Sequence, residues 1–233
     1  MSLNLQENAI FIADAHFNEK RSEFLIILQK IHSREILTSQ IILMGDMFDF
    51  ICSQSKFFVN KNLEVIELLN KLSQSIEIVY LEGNHDYNLA KLFPNISVYP
   101  REKQPIFATL GERSVALNHG DLFVNSGYEL YCSIIRNKAL LSFLNIIDVN
   151  FWLTKKINNH LLGKNICHKI EDFESLAKKR SEYFDEDVLI EGHFHQGNQY
   201  DFANKKYINI PSLTCSKKYA VVKNNLISNI SFY

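Results

Sequence analysis

Five short segments of the chain carry residue types suited to holding divalent cations. They are Asp14-Ala15-His16, Gly45-Asp46-Met47-Phe48-Asp49, Gly83-Asn84-His85-Asp86, His119-Gly120-Asp121 and Gly192-His193-Phe194-His195. Carboxylate oxygen, amide oxygen and imidazole nitrogen are ligands for borderline or hard divalent metals. No cysteine falls within the five, which argues against a structural zinc site. In Asp14-x-His16 and His193-x-His195 an extended backbone would point both side chains to one face, so each pair could give two ligands to one cluster. The neighbouring glycines allow tight turns and close backbone approach. Taken singly, each piece is ordinary loop or turn chemistry. Five together are a different observation.

The elements that must position them are legible in the apolar pattern. Ala9–Ala13, Ile41–Met44 and Ile76–Leu81 read as buried strands. Between them, Glu19–His32 has an apolar face of Phe24, Ile27, Leu28 and Ile31, and Leu63, Ile66, Leu69 and Leu72 mark a second helix. Strand alternating with helix predicts a parallel sheet. Residues 106–110 and 114–118 flank Gly111-Glu112-Arg113 as a hairpin. Residues 126–184 read as helical. Short runs at 188–191, 199–202, 207–210, 219–223 and 226–232 read as strands of a second sheet. The expected fold is an α/β sandwich, a single domain over 1–233 with two β-sheets flanked by helices and a helical lid inserted at 126–184. Each candidate segment follows a strand, and ligand sites in open α/β sheets lie beyond the carboxyl ends of strands.

Composition bounds the alternatives. The chain has 233 residues, enough for a substantial core, and 46% are hydrophobic, which argues against global disorder. A net charge of −1 gives no reason to expect nucleic acid as a partner. Cys52, Cys132, Cys167 and Cys215 are widely spaced with no C-x-x-C pair, so four reduced thiols in a cytoplasmic protein are expected. Met1–Asn8 is polar, and no secretory signal is expected there.

The ordered set Asp14-x-His16, Gly45-Asp46-x-x-Asp49, Gly83-Asn84-His85-Asp86, His119-Gly120 and Gly192-His193-x-His195 resembles the calcineurin-like metallophosphoesterases over residues 9–196. The resemblance implies that Asp14, His16, Asp46 and His195 hold one metal. It implies that Asp46, Asn84, His119 and His193 hold another, with Asp46 bridging. Asp49 and Asp121 would support this set from behind. His85 would stabilise or protonate the leaving oxygen, Asp86 would orient it, and Asn84 would serve catalysis as well as the metal. Two divalent ions, manganese first, would neutralise the charge of a phosphate ester and activate water. A non-catalytic scaffold on this fold would be expected to lose ligands, whereas all seven positions here hold competent residues.

The lid narrows the substrate. From Tyr128 to Lys169, six Lys/Arg face only Glu129 and Asp148, and long apolar residues such as Phe143, Ile147 and Trp152 interleave with them. Such a segment suits an amphipathic substrate or an anionic lipid surface. It is similar to the lid of the UDP-2,3-diacylglucosamine pyrophosphatases, which release UMP and a lipid 1-phosphate. That likeness implies that Asn84 and Tyr128 touch the head group and that Arg136 meets a phosphate. It also implies a cytoplasmic protein, peripheral on the inner membrane, with no obligate protein partner. That subfamily carries Arg where this chain has His85. The alternative is a soluble metallophosphodiesterase or phosphatase for a small phosphorylated metabolite or nucleotide.

Overall fold

The computed structural model describes residues 3–232. Met1, Ser2 and Tyr233, part of the polar amino-terminal stretch and of the single domain expected over 1–233, lie outside the described residues.

The first half runs β1 (Leu3–Asn4), β2 (Ile10–Ile12), α1 (Glu23–His32), β3 (Gln40–Leu43), β4 (Ile51–Cys52), α2 (Lys56–Lys61), α3 (Leu63–Leu72), β5 (Glu77–Leu81), β6 (Asp86–Tyr87) and β7 (Ser97–Tyr99). Strands β2, β3, β5 and β7 are parallel neighbours. Their apolar runs are continuous because both faces are covered. Ile10, Ile12, Ile41, Leu43, Ile78 and Tyr80 pack against Phe24 and Ile27 of α1 and Val65 and Leu69 of α3. The alternate residues Phe11, Ile42, Val79 and Leu81 face the other sheet, where they meet Leu117, Ile190 and Ile208. Helix α1 starts at Glu23 rather than Glu19, because Asn18 and Arg21 close a turn in which Asn18 Oδ1 accepts the Lys20 amide.

The chain continues through the hairpin β8 (Ile106–Leu110) and β9 (Arg113–Asn118) into the inserted helices α4 (Ser126–Ile135), α5 (Lys138–Ile147), α6 (Trp152–Gly163) and α7 (Phe173–Ser181). It ends with β10 (Val188–Glu191), β11 (Gln199–Phe202), β12 (Lys205–Asn209), α8 (Leu213–Ser216), β13 (Lys218–Lys223) and β14 (Leu226–Ser231). Two six-stranded sheets result, in the orders β14-β13-β2-β3-β5-β7 and β1-β8-β9-β10-β12-β11, and β4 and β6 form a separate pair.

Two expectations are corrected. The strands at 219–223 and 226–232 do not join the second sheet. β13 pairs antiparallel with β2, which places Ala220 and Val222 between the sheets and extends the first one to β14 as its edge strand. The insert is not helical throughout, since residues 164–172 carry no helix. Side chains of Asn125, Asn137 and Asp172 cap α4, α5 and α7 by accepting first-turn amides. Neither α5 nor α6 contains a buried residue. Phe143, Ile146, Val149 and Trp152 are largely exposed, so the lid presents an apolar face to solvent. Among the described residues no single helix is long and apolar enough to cross a membrane.

Candidate metal centre

Each of the five segments leaves a strand of one sheet or the other at its carboxyl end, and the sandwich brings all five to one rim. The backbone there is not extended. Asp14, His16, Asp46, His193 and His195 have φ of 48°, 42°, 56°, 64° and 61°. Non-glycine residues in this left-handed region cost about 1–3 kcal/mol each, and such strain concentrates at functional sites. The side chains of Asp14 and His16 therefore converge through successive left-handed turns, not through the strand geometry expected from the sequence. Two glycines are needed for close approach. A Cβ at Gly83 would strike Asp46, and one at Gly45, with φ of 91°, would strike the ring of His119.

Asp46 lies at the centre. Its Oδ1 accepts the His85 amide at 2.8 Å. Its Oδ2 faces His16 Nε2 at 3.9 Å on one side and His119 Nε2 at 3.6 Å on the other. On the first side, His195 Nε2 lies 3.4 Å from Asp14 Oδ1, and Asp14, His16 and His195 offer ligand atoms within 4.8 Å of one another. On the second, His119 Nε2 lies 3.2 Å from both Asn84 Oδ1 and His193 Nδ1. His119 Nδ1 meets the Met44 carbonyl at 2.8 Å, which leaves Nε2 free to turn its lone pair to this group.

Buried polar atoms almost always find partners. Here Asp14 Oδ2 and both ring nitrogens of His16 are buried with none. Orphaned acceptors converging on one another are satisfied by cations, so the donor set fits two divalent ions.

Electrostatics follow from the crowding. Burial opposes charge on Asp46, but His119, His85, His16 and His193 hold its carboxyl well below the usual range. Burial also opposes charge on His119, yet Asp46, Asp121 and Asp14 raise it to about 9. Burial and the neighbouring His119 push His193 down to about 4.

The surrounding residues divide. Asp49 Oδ1 lies 3.7 Å from His16 Nδ1, and its Oδ2 is held by Arg21 at 2.7 Å and by Asn18. It therefore backs a candidate ligand. The role expected for Asp86 is corrected. Its carboxylate accepts the amides of Asp46, Met47 and Gly83 and the hydroxyl of Tyr80, so it ties two ligand loops together. Burial and the Asp46 carboxylate raise it to about 7. The His85 ring is set instead by the Asp49 carbonyl, 2.6 Å from Nδ1.

Asp121 touches none of the seven side chains through a hydrogen bond. It binds Arg101 Nε at 2.9 Å and the Tyr128 hydroxyl at 3.4 Å. Tyr128 and Arg136 do not line the cleft at the metal ligands, whose cavity is about 180 Å³ and includes His85, His193 and the segment after α6. Arg136 instead donates to the Gly83 carbonyl at 2.7 Å and lines an adjacent cavity of about 480 Å³. Glu82 and Asp121 lie within 4.0 Å of its guanidinium, and its Nε and Nη1 have no hydrogen-bond partner.

Sequence reasoning missed several supports. Gln104 accepts the His119 amide, Ser212 donates to the Asp14 carbonyl, and Arg101 joins Asp121 to Glu129 of α4. Ser212 is 198 residues from Asp14, and no local pattern signals such a contact. The expectation of four reduced thiols is also corrected. Cys167 and Cys215 form a disulfide, while Cys52 and Cys132 are buried and free.

Comparisons with known proteins agree with this geometry. The model of the calcineurin-like phosphoesterase family matches residues 8–197. The UDP-2,3-diacylglucosamine hydrolase of Wigglesworthia glossinidia brevipalpis is 20% identical over 215 residues, covering 86% of this chain and 84% of that protein. Among solved structures, the phosphoesterase Yfce from E. coli superimposes with a TM-score of 0.50 at 15% identity, covering 96% of this chain and 92% of that one.

Proposed function

The chain belongs to the calcineurin-like phosphoesterase family, and from that premise we propose that it hydrolyses the pyrophosphate of a lipid-linked nucleotide, UDP-2,3-diacylglucosamine, at a two-ion centre. The coarser statement, a metal-dependent phosphoester hydrolase, follows from the family and from the converging His and Asp clusters. The observation that supports the finer one is the lid. It sets an exposed apolar, basic surface in the chain segment that leads into the cleft wall, as an acylated anion requires. The relative from Wigglesworthia glossinidia brevipalpis supports the same reading.

In this reading Asp14, His16, Asp46 and His195 hold one ion, and Asp46, Asn84, His119 and His193 the other. Bound divalent ions, manganese by preference for mixed nitrogen and oxygen ligands, supply charge neutralisation and Lewis acidity. The remaining work falls to the chain. Asn84 orients the phosphoryl group beside His119. His85, with Nδ1–H on the Asp49 carbonyl, donates from Nε2 to the leaving oxygen when its ring is protonated. The basic lid face rests on the cytoplasmic surface of an anionic membrane, which delivers the acyl chains.

A second reading has its own support. The cleft is small and neither Tyr128 nor Arg136 lines it, which suits a soluble phosphodiesterase or phosphatase for a small metabolite or nucleotide. One assay separates the two. Purified protein with manganese should release UMP from UDP-2,3-diacylglucosamine, faster with longer acyl chains. Good turnover of bis(p-nitrophenyl) phosphate without UMP release would favour the second reading.

A further inference from the structure

Cys167 sits midway along residues 164–170, the non-helical segment between α6 and α7. Lys164, Asn165, Ile166, His168 and Ile170 of this segment form one wall of the metal cleft, opposite His16, His85 and His193. The wall is lightly held. Ile166 is buried, the Gln196 side chain accepts the Ile170 amide and donates to the His168 carbonyl at 3.1 Å each, and Cys167 supplies the covalent tie.

The other end of that tie is fixed to the metal loops. Cys215 belongs to α8. The Leu213 amide donates to the Ala13 carbonyl at 2.9 Å, Ser212 Oγ to the Asp14 carbonyl at 2.8 Å and Thr214 Oγ1 to the Ala15 carbonyl. Cys215 Sγ also lies 3.5 Å from His195 Nδ1, and the His168 ring stacks on that of His195 at 6.1 Å. A disulfide sulfur has no hydrogen and can only accept. The disulfide sulfur can therefore only accept from Nδ1 of His195, a contact that favours the Nδ1–H form and leaves Nε2 for an ion held with Asp14. A thiol can donate as well as accept, so reduction removes that constraint on the tautomer.

We infer that the Cys167–Cys215 pair is a thiol–disulfide site that couples redox state to closure of the cleft wall and to the hold of His195 on its metal. Cys167 is exposed, so an external dithiol can reach it. In the forward step the dithiol gives up two electrons and two protons. The S–S bond breaks, two S–H bonds form, and the dithiol leaves as its own disulfide. The segment then keeps only its non-covalent contacts, those of Ile166, Ile170, Gln196 and the His168 ring. The inference depends on the metal ligands and not on the identity of the substrate.

The test poises the full chain in buffers of fixed reduced-to-oxidised dithiothreitol ratio, then removes the small thiols under argon. Three readouts follow: alkylation counted by mass, tryptic cleavage at Lys164 and Lys169, and manganese affinity by calorimetry. Two cysteines should switch together between protected and alkylated while Cys52 and Cys132 do not. Reduction should speed cleavage severalfold and weaken manganese binding by about 10-fold, the scale of a lost support behind a ligand histidine. Cys167→Ser, a change at an exposed position, should give the reduced cleavage rate and manganese affinity at every poise, with Cys215 alone of the pair alkylated. Failure of the pair to form a disulfide at any poise would overturn the inference. So would two redox forms that are cleaved alike and bind manganese alike. None of these readouts uses a nucleotide-lipid, so a wrong substrate assignment would leave them untouched.

Discussion

Asp46 is the side chain on which both halves of the centre depend. One oxygen is occupied by the His85 amide, and the other faces an imidazole on each side. Asp46→Ala should lower turnover by about 100-fold or more, the scale of a lost preorganised electrostatic contact, with unchanged far-ultraviolet dichroism. Wild-type rates in that variant would contradict a shared ligand. Asp86 makes a different prediction. Its carboxylate meets four donors, and an amide there would set N–H against N–H. Asp86→Asn should therefore cost about 3 kcal/mol in urea unfolding. The shape of the pH–rate profile should stay as in wild type, because Asp86 does not touch the His85 ring.

Proton linkage also belongs at this scale. His119 is raised to about 9 and His193 is lowered to about 4. The raised group stabilises the metal-free fold fully below its unfolded value near 6.5, and that contribution is lost as pH rises toward 9. The lowered group acts in the opposite sense. The unfolded chain protonates first, so stability falls as pH drops from about 6.5 to 4. These two histidines together favour the metal-free fold near pH 6.5, while Asp86, raised to about 7, shifts the optimum to lower pH because its contribution is lost as pH rises from about 4 to 7. At pH 7 the proton on His119 must leave when an ion binds. Calorimetric manganese titrations in buffers of different ionisation enthalpy should show about one proton released. Identical heats in all buffers would contradict this.

Among the elements, α4 is tied to the core by the Arg101 guanidinium, together with the Tyr128 hydroxyl on Asp121 and buried Cys132. Arg101 binds Asp121 and makes a two-pronged pair with Glu129 on the helix. Glu129 is half exposed, so Glu129→Ala should cost about 1 kcal/mol or less in global stability. Its visible effect should be faster hydrogen exchange across Ser126–Ile135, and unchanged exchange there would contradict the tie. Elements differed in how plainly the sequence announced them. The buried strands at 10–12, 40–43 and 77–81 stand out because both of their faces are covered and every residue is apolar or paired. The second-sheet assignment of 219–223 and 226–232 failed for a physical reason. An antiparallel strand can add to either sheet edge, and the alternation of Tyr219, Val221 and Ala220, Val222 suits both. The seven candidate ligands were visible as residue types after strands. Their supports were not, because Gln104, Arg101 and Ser212 act through contacts between remote elements. The Cys167–Cys215 pair was hidden in the same way, since only the folded lid and α8 bring the two together.

At the scale of the molecule, charge and apolar surface are segregated. The chain is nearly neutral, at −1, yet residues 128–169 of the lid carry six cations against Glu129 and Asp148 beside exposed Phe143, Ile146 and Trp152. Vesicles containing anionic phosphatidylglycerol should sediment the protein at low salt and release it as screening grows, whereas neutral vesicles should bind it less. Equal binding to both would leave the lid without an electrostatic role. The account as a whole rests on two ions sharing one carboxylate. Electron paramagnetic resonance of manganese-loaded protein tests that directly. It should show two ions per chain with the spectrum of an exchange-coupled pair, and Asp46→Ala should abolish the coupling. A single isolated manganese signal in the wild-type chain, or no bound manganese, would contradict it.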